Sequence, residues 1–204
     1  MNFITDMVIL GIDPGTATTG WGAIKLLENS GQQTAKNKKS SSQISDSCSL
    51  KLVDFGCILT DSQDPMGERL LVLKRSLQKV IKEYSPDCMV IERLFFGANS
   101  TSALSVGQAR GVVLLVAREN KLPVHEYTGL EVKLTVANHG RADKKSIQTA
   151  VRRHIGIKKL PNVRDQAGRE VYRFRDDAFD AVAAAICHVL KTESGQQKAP
   201  KSGL

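Results

Sequence analysis

The sequence predicts a single α/β domain with a mixed sheet covered by helices, and three patterns support this prediction. Two strand-like runs, 7–13 and 20–27, come first and are joined by a Pro-Gly turn. Short apolar runs then alternate with longer stretches of helical periodicity. Strands followed by an alternation of helices and strands are typical of a mixed sheet with helices packed against it.

Five segments have the composition of strands. Val8 to Leu10, in the first of them, are too apolar for a strand with one face in water, so we expect burial on both faces. The number of segments predicts a five-stranded sheet. They span 7–13, 20–27, 50–60, 88–91 and 123–127.

Five further segments have the periodicity and the end signals of helices. Pro65 lies at the first helical position of the first one, and Ser85-Pro86 ends it. Thr128 and Glu131 form the pattern of a capping box, and Asp143 can cap the helix that follows. The helices are predicted over about 65–84, 102–118, 128–138, 143–154 and 176–190.

The second predicted helix contains two glycines, Gly107 and Gly111, which are four residues apart. Glycine lowers helix stability relative to alanine, so a helix that carries two of them needs a compensating reason. We expect that reason to be close packing against a neighbouring element.

One domain is expected to occupy residues 1–190. Residues 28–49 are rich in Ser, Gln and Lys and interrupt a predicted hairpin, so we interpret them as a mobile insertion. The polar residues 157–175 predict a loop. Residues 191–204 are also polar and predict a disordered tail.

The 204-residue chain carries a formal net charge of +8, and its isoelectric point is near 9.4. A basic balance favours a polyanionic partner, usually a nucleic acid, although an ordinary solvated surface would also account for it. No apolar run approaches the length of a membrane span, and the N-terminus lacks a signal-peptide pattern. We therefore expect a cytoplasmic protein with no membrane partner.

The cysteines and histidines predict neither a disulfide framework nor a zinc site. The four cysteines show no paired spacing, and three of them lie in apolar contexts that favour buried thiols. The four histidines are not expected to cluster with them. The residues concerned are Cys48, Cys57, Cys88 and Cys187, and His125, His139, His154 and His188.

Asp13 ends the first strand and admits two interpretations. Asp13-Pro14-Gly15 has a turn signature, in which Pro sets φ at the second position and Gly takes a positive φ at the third. Asp13 is also the first charge met on leaving a buried strand, as an acidic site would require. The choice depends on whether other carboxylates converge on it.

The last predicted helix carries two carboxylates on one face. At 100° per residue, Asp177 and Asp180 fall together with small residues, whereas Phe179 and the larger apolar residues fall opposite. Asp176 is adequately explained by helix-start chemistry. The stacked pair is less well explained in that way, because neighbouring carboxylates repel unless something such as a divalent cation neutralises them.

Glu92 follows a short buried strand as Asp13 does, which brings the number of candidate carboxylates to four. The carboxyl ends of neighbouring parallel strands meet at one sheet edge, where a helix could complete the set. Oxygen donors without His or Cys suit Mg²⁺ or Mn²⁺ rather than zinc. Two such ions ~4 Å apart can activate a water as nucleophile and stabilise the leaving oxygen in phosphodiester hydrolysis, so no protein nucleophile is needed.

Four ordered motifs resemble those of the RuvC family of Holliday-junction resolvases. The resemblance implies an RNase H-like fold and a Mg²⁺- or Mn²⁺-dependent homodimer that nicks a four-way DNA junction symmetrically in recombination and repair. It also implies a RuvA–RuvB branch-migration partner, and it assigns catalysis and metal binding to Asp13, Glu92, Asp177 and Asp180. The motifs are Gly11-Ile12-Asp13-Pro14-Gly15, Ile91-Glu92-Arg93-Leu94-Phe95-Phe96, Gly107-Gln108-Ala109-Arg110-Gly111 and Asp177-Ala178-Phe179-Asp180-Ala181.

The resemblance also implies DNA contacts outside the four carboxylates. The family's junction-probing aromatic corresponds to Phe95, which could stack on an unpaired base or could instead belong to the core. Family lysines that are needed for junction cleavage correspond to Lys133 and Lys145. Arg141 and Lys144 are further candidates on charge alone, because basic side chains near a helix start can meet phosphates.

Two other functions remain open from the sequence. An ATPase of the actin and sugar-kinase group also places an Asp at a strand end before a Gly-Thr turn, as Asp13-Pro14-Gly15-Thr16 does, but it needs a second half to clamp a nucleotide. A DNA-binding module without chemistry accounts for the positive charge. Four carboxylates without metal would oppose DNA binding, however, so metal-dependent cleavage separates this module from a nuclease.

Overall fold

A computed structural model describes residues 6–28, 48–93, 103–159, 161–172, 175–193 and residue 195. The predicted α/β class and mixed sheet are confirmed. In chain order the elements are β1 (Met7–Asp13), β2 (Thr18–Glu28), β3 (Cys48–Leu59), α1 (Met66–Tyr84), β4 (Cys88–Arg93), α2 (Ala103–Glu119), β5 (Val124–Thr128), α3 (Gly129–Ala137), α4 (Lys144–Ile155), β6 (Arg164–Asp165) and α5 (Arg175–Glu193).

The sheet has six strands in the order β5-β4-β1-β2-β3-β6, so the predicted count of five was too low. The added strand lies in the predicted loop 157–175 and pairs in parallel with β3 through Arg164 and Asp165. Buried Asp165 accepts hydrogen bonds from the backbone N–H groups of Ala167 and Arg169, at 2.9 Å each. These polar contacts hold the strand, which therefore lacks the apolar signal used to predict strands.

The first strand is central and buried on both faces, as predicted. It pairs antiparallel with β2 and parallel with β4. Ile9 belongs to the core beneath α3, α4 and α5, whereas Leu10 and Ile12 belong to the core beneath α1 and α2. The sheet therefore separates two helical layers.

Helix α5 lies directly on β1 and β2 because these strands carry glycines where the helix crosses. A Cβ on Gly11 would overlap the backbone carbonyl of Ala181, and a Cβ on Gly20 would overlap that of Asp177. The small-residue face predicted for this helix therefore meets a sheet surface that is itself without side chains at the crossing points. The larger apolar residues of α5 are buried as well. Phe179 packs edge to face against Phe55 of β3, and Val182 lies against Gly22 of β2.

The predicted helix caps are confirmed at the two central helices. Thr128 and Glu131 form a complete capping box at the start of α3. The Asp143 carboxylate accepts a hydrogen bond from the Ser146 N–H at 2.8 Å at the start of α4. Pro65 is one position earlier than predicted, because it precedes the first residue of α1 as its N-cap.

The link after Asp13 differs from the predicted turn. Gly15 does not adopt a positive φ. Its backbone oxygen instead accepts a hydrogen bond from the Thr19 hydroxyl at 2.6 Å, and a Cβ at Gly15 would overlap the carbonyl of Thr18. Close approach of the backbone, rather than a left-handed conformation, explains this glycine.

Three further expectations are corrected. A Cβ on Gly107 or Gly111 would meet no other described residue within 4 Å, so close packing against a described element does not explain these glycines. Residues 191–193, assigned to the tail, continue α5, because Lys191 forms an ion pair with Glu131 at 2.8 Å. The insertion falls between β2 and β3 as predicted, but its predicted ends at 28 and 48–49 are wrong, because Glu28 pairs with Cys48 and Leu27 with Ser49 in the sheet. Residues 29–47 lie outside the described residues. Within the ranges described above, no helix is long and apolar enough to cross a bilayer.

Candidate active site

Two carboxylates stand at the carboxyl ends of two neighbouring parallel strands. The register of β1 and β4 pairs Ile12 with Ile91, so that Asp13 and Glu92 come next at the same sheet edge. Both side chains are partly buried. The parallel pairing that the sequence suggested for these strands therefore places their terminal carboxylates side by side.

The other two carboxylates come from the first turns of α5, which crosses this edge. Asp177 begins the crossing, since its backbone carbonyl lies against Gly20 of β2. Asp180 follows one turn later and faces the same side as Glu92. Both side chains are partly buried. Together with Asp13 and Glu92, they make four acidic groups at this edge of the sheet.

Electrostatics confirm that the four groups are close. Burial raises the pKa of Asp13 well above its usual range, and this is the largest effect. The surrounding carboxylates raise it further, in decreasing order Glu92, Asp180 and Asp177. Asp13 is thus the group that is affected by all three of the other carboxylates.

The neighbouring carboxylates are shifted in the same direction. Burial, followed by the charge of Asp180, raises the pKa of Glu92 to about 7. Burial also raises the pKa of Asp180 to about 6, and it raises the pKa of Asp177. A site in which every acid resists ionisation favours a cation, because a positive ion relieves both desolvation and repulsion.

Lys144 supplies positive charge beside the four carboxylates. Its ammonium donates to a carboxylate oxygen of Asp176 at 3.0 Å, and Gln148 donates to the other oxygen at 3.0 Å. The Lys144 charge lowers the pKa of Asp13, and it does the same for Asp177 and Asp180. Asp176, assigned only to helix-start chemistry, therefore also positions a lysine beside the acidic cluster.

A cavity of about 370 Å³ opens beside these groups. Glu92 and Asp180 contribute its acidic wall, and Lys133 and Lys144 its basic wall. The remaining lining is formed by Gly129, Val132, Ala142, Asp143 and Ile147. Adjacent acidic and basic walls suit a ligand that combines bound cations with phosphate oxygens.

The predicted DNA-contacting residues divide into two groups. Lys133 and Lys144 line the acidic cavity, and Lys133 lowers the pKa of Glu92. Lys145 instead lines a neighbouring depression with Ser146 and Arg153 of α4. Arg141 is exposed in the loop before α4. Phe95, the predicted junction-probing aromatic, lies outside the described residues.

Arg110 links α2 to the sheet. Its guanidinium forms an ion pair with Glu126 of β5, which Arg93 approaches to 3.7 Å. Both members of the Arg110–Glu126 pair are partly buried. This arrangement gives Arg110 a structural role next to the strand that carries Glu92.

The donor set fits divalent cations that bind oxygen. Carboxylates are hard ligands of the kind that Mg²⁺ and Mn²⁺ prefer. Among the described residues, no three of the four carboxylates bring their oxygens within 4.8 Å of one another. Mutual repulsion accounts for this spacing, and a set distributed around two ions need not converge on one point.

Comparison with known proteins identifies the family. The family model described as crossover junction endodeoxyribonuclease RuvC matches residues 9–188. The chain belongs to the RuvC family. A RuvC from Desulfitobacterium hafniense is 44% identical over 182 residues, which cover 89% of this chain and 92% of that protein. A RuvC from Chloroflexus aurantiacus is 42% identical over 191 residues, which cover 94% and 98% of the two chains.

Solved RuvC structures have the same fold. The structure of Thermus thermophilus RuvC in complex with a Holliday junction substrate matches with a TM-score of 0.71 and 28% identity, covering 94% of this chain and 98% of that one. Thermus thermophilus RuvC alone gives a TM-score of 0.69. The predicted RNase H-like fold, the family and the class of nuclease are therefore confirmed, and the family's enzymes are metal-dependent.

A second cluster contradicts the expectation that cysteines and histidines lie apart. The ligand atoms of Cys88, His125 and His188 all lie within 4.8 Å of one another. The three residues come from β4, β5 and α5. Their separation along the chain gave no sign of this, because only the pairing of two strands and the packing of a helix bring them together.

Proposed function

We propose that this RuvC-family chain is a homodimeric resolvase that nicks four-way DNA junctions in pairs, with two Mg²⁺ or Mn²⁺ ions held by Asp13, Glu92, Asp177 and Asp180. The observation that carries the proposal is that strand register places Asp13 beside Glu92 while Asp180 of α5 lines the same cavity as Glu92, so that acidic groups from distant segments meet at one sheet edge. Burial and three neighbouring carboxylates raise the pKa of Asp13. Such a cluster is costly for a protein unless cations occupy it.

The bound cations would lower the pKa of an attacking water and stabilise charge on the cleaved phosphodiester. The chain itself supplies the rest. Asp13 and Glu92 sit on rigid parallel strands, and Asp177 and Asp180 sit on a buried helix, so their positions change little when DNA binds. Rigid placement suits a reaction that depends on the exact position of a phosphate.

The basic wall of the cavity supports binding of the scissile phosphate. Lys133 and Lys144 line the same cavity as Glu92 and Asp180, so positive charge is available beside the acidic cluster. Arg141 and Lys145 lie on the adjoining surface and extend the basic region toward the flanking backbone. Contacts of this kind position DNA without reading its sequence.

Dimerisation is supported by the outer face of α2. Leu104 and Leu115 are 75% and 52% exposed, and Gly107 and Gly111 lie between them on the same face. A helix that exposes large apolar residues beside glycines can pack closely against a second copy. A two-fold dimer would present two active sites to the two strands of a symmetric junction.

The cellular setting follows from the substrate. The solved Thermus thermophilus RuvC binds a Holliday junction, and we extend that substrate to this chain. Junctions arise during recombination and repair of the chromosome, so the proposal includes a cytoplasmic location. It also includes a RuvA–RuvB partner, which the family resemblance implies.

The test is cleavage of a synthetic four-way junction and of a linear duplex with matched sequence. Wild type and Asp13→Asn are compared in Mg²⁺ and in EDTA, with Asp64→Asn as a control that alters an exposed carboxylate before α1. We expect paired symmetric nicks in the junction alone, only with metal. Asp13→Asn should lose cleavage and keep junction binding, whereas Asp64→Asn should behave as wild type.

Three results would contradict the proposal. Tight junction binding without nicks in any metal would indicate a binding module without chemistry. Equal cleavage of the duplex would remove the assignment to four-way junctions. Retained cleavage by Asp13→Asn would mean that the acidic cluster is not the active site.

A further inference from the structure

Cys88, His125 and His188 form a compact cluster away from the acidic one. Cys88 begins β4, whereas Glu92 stands near its other end. His188 lies two turns beyond Asp180 on α5. The same strand and the same helix therefore carry an acidic group at one end and a Cys/His group toward the other.

The sheet register explains how the two strands contribute. Val90 of β4 pairs with His125 of β5, so Cys88 and His125 are diagonal neighbours on one face of the sheet. That face packs against α5, from which His188 enters between them. The rings of His125 and His188 have centroids 4.2 Å apart.

The distance between two of the ligand atoms is close to that in a tetrahedral site for a soft or borderline cation. The Cys88 Sγ lies 3.8 Å from the Nε2 of His188. Zinc bond lengths of about 2.3 Å to sulfur and about 2.1 Å to nitrogen give a ligand separation of about 3.6 Å at tetrahedral angles. A shift of a few tenths of an ångström would therefore seat an ion between these two atoms.

The second nitrogen of His188 is already held as in zinc proteins. The hydroxyl of Tyr127 lies 3.0 Å from His188 Nδ1. A partner on the far nitrogen fixes the ring orientation and leaves Nε2 directed at the metal position. The nearby Lys191 ammonium stacks over Tyr127 but is paired with Glu131 at 2.8 Å, which offsets its charge.

We propose that Cys88, His125 and His188 bind one Zn²⁺ ion, at a site separate from the acidic active site. One thiolate and two imidazoles supply three ligands, and water completes the tetrahedron. His125 is only partly buried and lies on β5, an edge strand, so the ion can enter from that side. Mg²⁺ and Mn²⁺ should compete only weakly for this site, because these hard cations prefer oxygen donors.

Zinc binds cysteine as the thiolate and histidine as the neutral imidazole. Binding at this site would therefore displace the proton of the Cys88 thiol, and affinity for zinc should rise with pH.

A zinc ion here would tie together the elements that carry the active site. It would join β4, which bears Glu92, to α5, which bears Asp177 and Asp180, and would add the edge strand β5. The ion would be structural in effect, because it lies away from the acidic edge. Zinc should therefore stabilise the fold whether or not the acidic site is occupied.

The experiment uses the full chain, treated with EDTA, desalted, and titrated with Zn²⁺ and with Co²⁺ as a spectroscopic probe in the presence of excess Mg²⁺. Cys88→Ser and His125→Asn each remove one ligand. Cys187→Ala is the matched control. Cys187 is also a buried thiol, but it lies on α5 and its Sγ contacts the Glu131 carbonyl rather than a histidine of the cluster. Asp13→Asn tests independence from the acidic site.

We expect one tight equivalent of Zn²⁺, and a sulfur-to-cobalt charge-transfer band with Co²⁺, in wild type, Cys187→Ala and Asp13→Asn. Cys88→Ser should abolish the band. His125→Asn should weaken Zn²⁺ binding by at least about 100-fold, more than is usual when a residue that only hydrogen-bonds to a ligand is lost. Tyr127→Phe should weaken it by about 10-fold.

A different pattern would overturn the proposal. A charge-transfer band that persists in Cys88→Ser, or zinc affinity that is lost only in Asp13→Asn, would assign the metal elsewhere. Absence of binding in wild type would mean that the cluster is a packed group of neutral side chains. Circular dichroism checks folding, and the partly exposed His125 provides the deciding variant if Cys88→Ser does not fold.

Discussion

A Cβ on Gly20 would overlap the backbone carbonyl of Asp177. The backbone of α5 therefore rests on the backbone of β2 with no side chain between them. Because Asp177 and Asp180 lie on the first turns of this helix, the depth at which α5 sits on the sheet sets their distance from Asp13. Glycine at position 20 is thus part of the geometry of the acidic cluster.

Gly20→Ala should push α5 away from the sheet. We expect a loss of about 1–3 kcal/mol in the free energy of unfolding, as for other overpacked cores. Junction cleavage should fall by about 100-fold, because a displacement of about 1 Å is enough to misplace catalytic groups. Urea denaturation and single-turnover cleavage measure the two effects.

Gly67→Ala is the matched control for this substitution. Gly67 lies in α1, and a Cβ there would meet no described atom within 4 Å. Alanine should stabilise this helix by up to about 1 kcal/mol and leave cleavage unchanged. Equal effects of the two substitutions would refute the steric explanation.

The metal-free protein should lose stability as pH rises toward neutrality. Burial raises the pKa of Glu92 to about 7, whereas the unfolded chain has a carboxyl pKa of about 4. Between these values the folded state holds the proton that the unfolded state has released, so stability present at low pH is lost as pH rises through about 7. Each such proton contributes at most about 1.4 kcal/mol per pH unit.

Glu92→Gln isolates this contribution. In EDTA at pH 8 the variant should be more stable than wild type, and the difference should shrink as pH falls toward about 4. Urea unfolding over a pH series measures it. Excess Mg²⁺ should remove the advantage of the variant, because cations stabilise only the wild-type cluster. A variant less stable than wild type in EDTA at pH 8 would contradict the pKa assignment.

Lys144 and Lys145 should differ in effect although they are adjacent in sequence. Lys144 lines the acidic cavity, whereas Lys145 lines the neighbouring depression with Ser146 and Arg153. Lys144→Ala should lower cleavage at saturating junction by at least about tenfold, since it removes a charge beside the reacting phosphate. Lys145→Ala should leave that rate unchanged.

Binding measurements complete this comparison. If Lys145 contacts a phosphate, Lys145→Ala should weaken junction binding and reduce the slope of log affinity against log salt by about 1. Filter binding at several salt concentrations provides the slope. A loss of cleavage rate in Lys145→Ala that equals the loss in Lys144→Ala would show that the two side chains are not separated as described.

The outer face of α2 should hold the dimer together. Leu115→Glu places a charge where Leu115 is 52% exposed beside Gly111, and we expect a monomer in sedimentation analysis. Leu130→Glu is the control, because Leu130 is 59% exposed on α3, which lies on the opposite face of the sheet. If Leu130→Glu dissociates the dimer and Leu115→Glu does not, the interface is formed by α3 rather than α2.

The sequence predicted those features of the fold that depend on residues close together in the chain. The capping box at Thr128 and Glu131, the cap at Asp143 and the burial of β1 over residues 9–12 all follow from residues that are close together in the sequence. The short strand β6 escaped prediction because it is held by the polar contacts of Asp165 rather than by apolar side chains.

The four carboxylates could be selected from the sequence because each follows a recognisable pattern: a charge directly after a buried strand, or a pair on the small-residue face of a helix. Their convergence depended on the fold. Strand register places Asp13 beside Glu92, and the glycines of β1 and β2 admit α5. The Lys144–Asp176 pair and the Cys88, His125 and His188 cluster depend on contacts between distant segments, which no local pattern encodes.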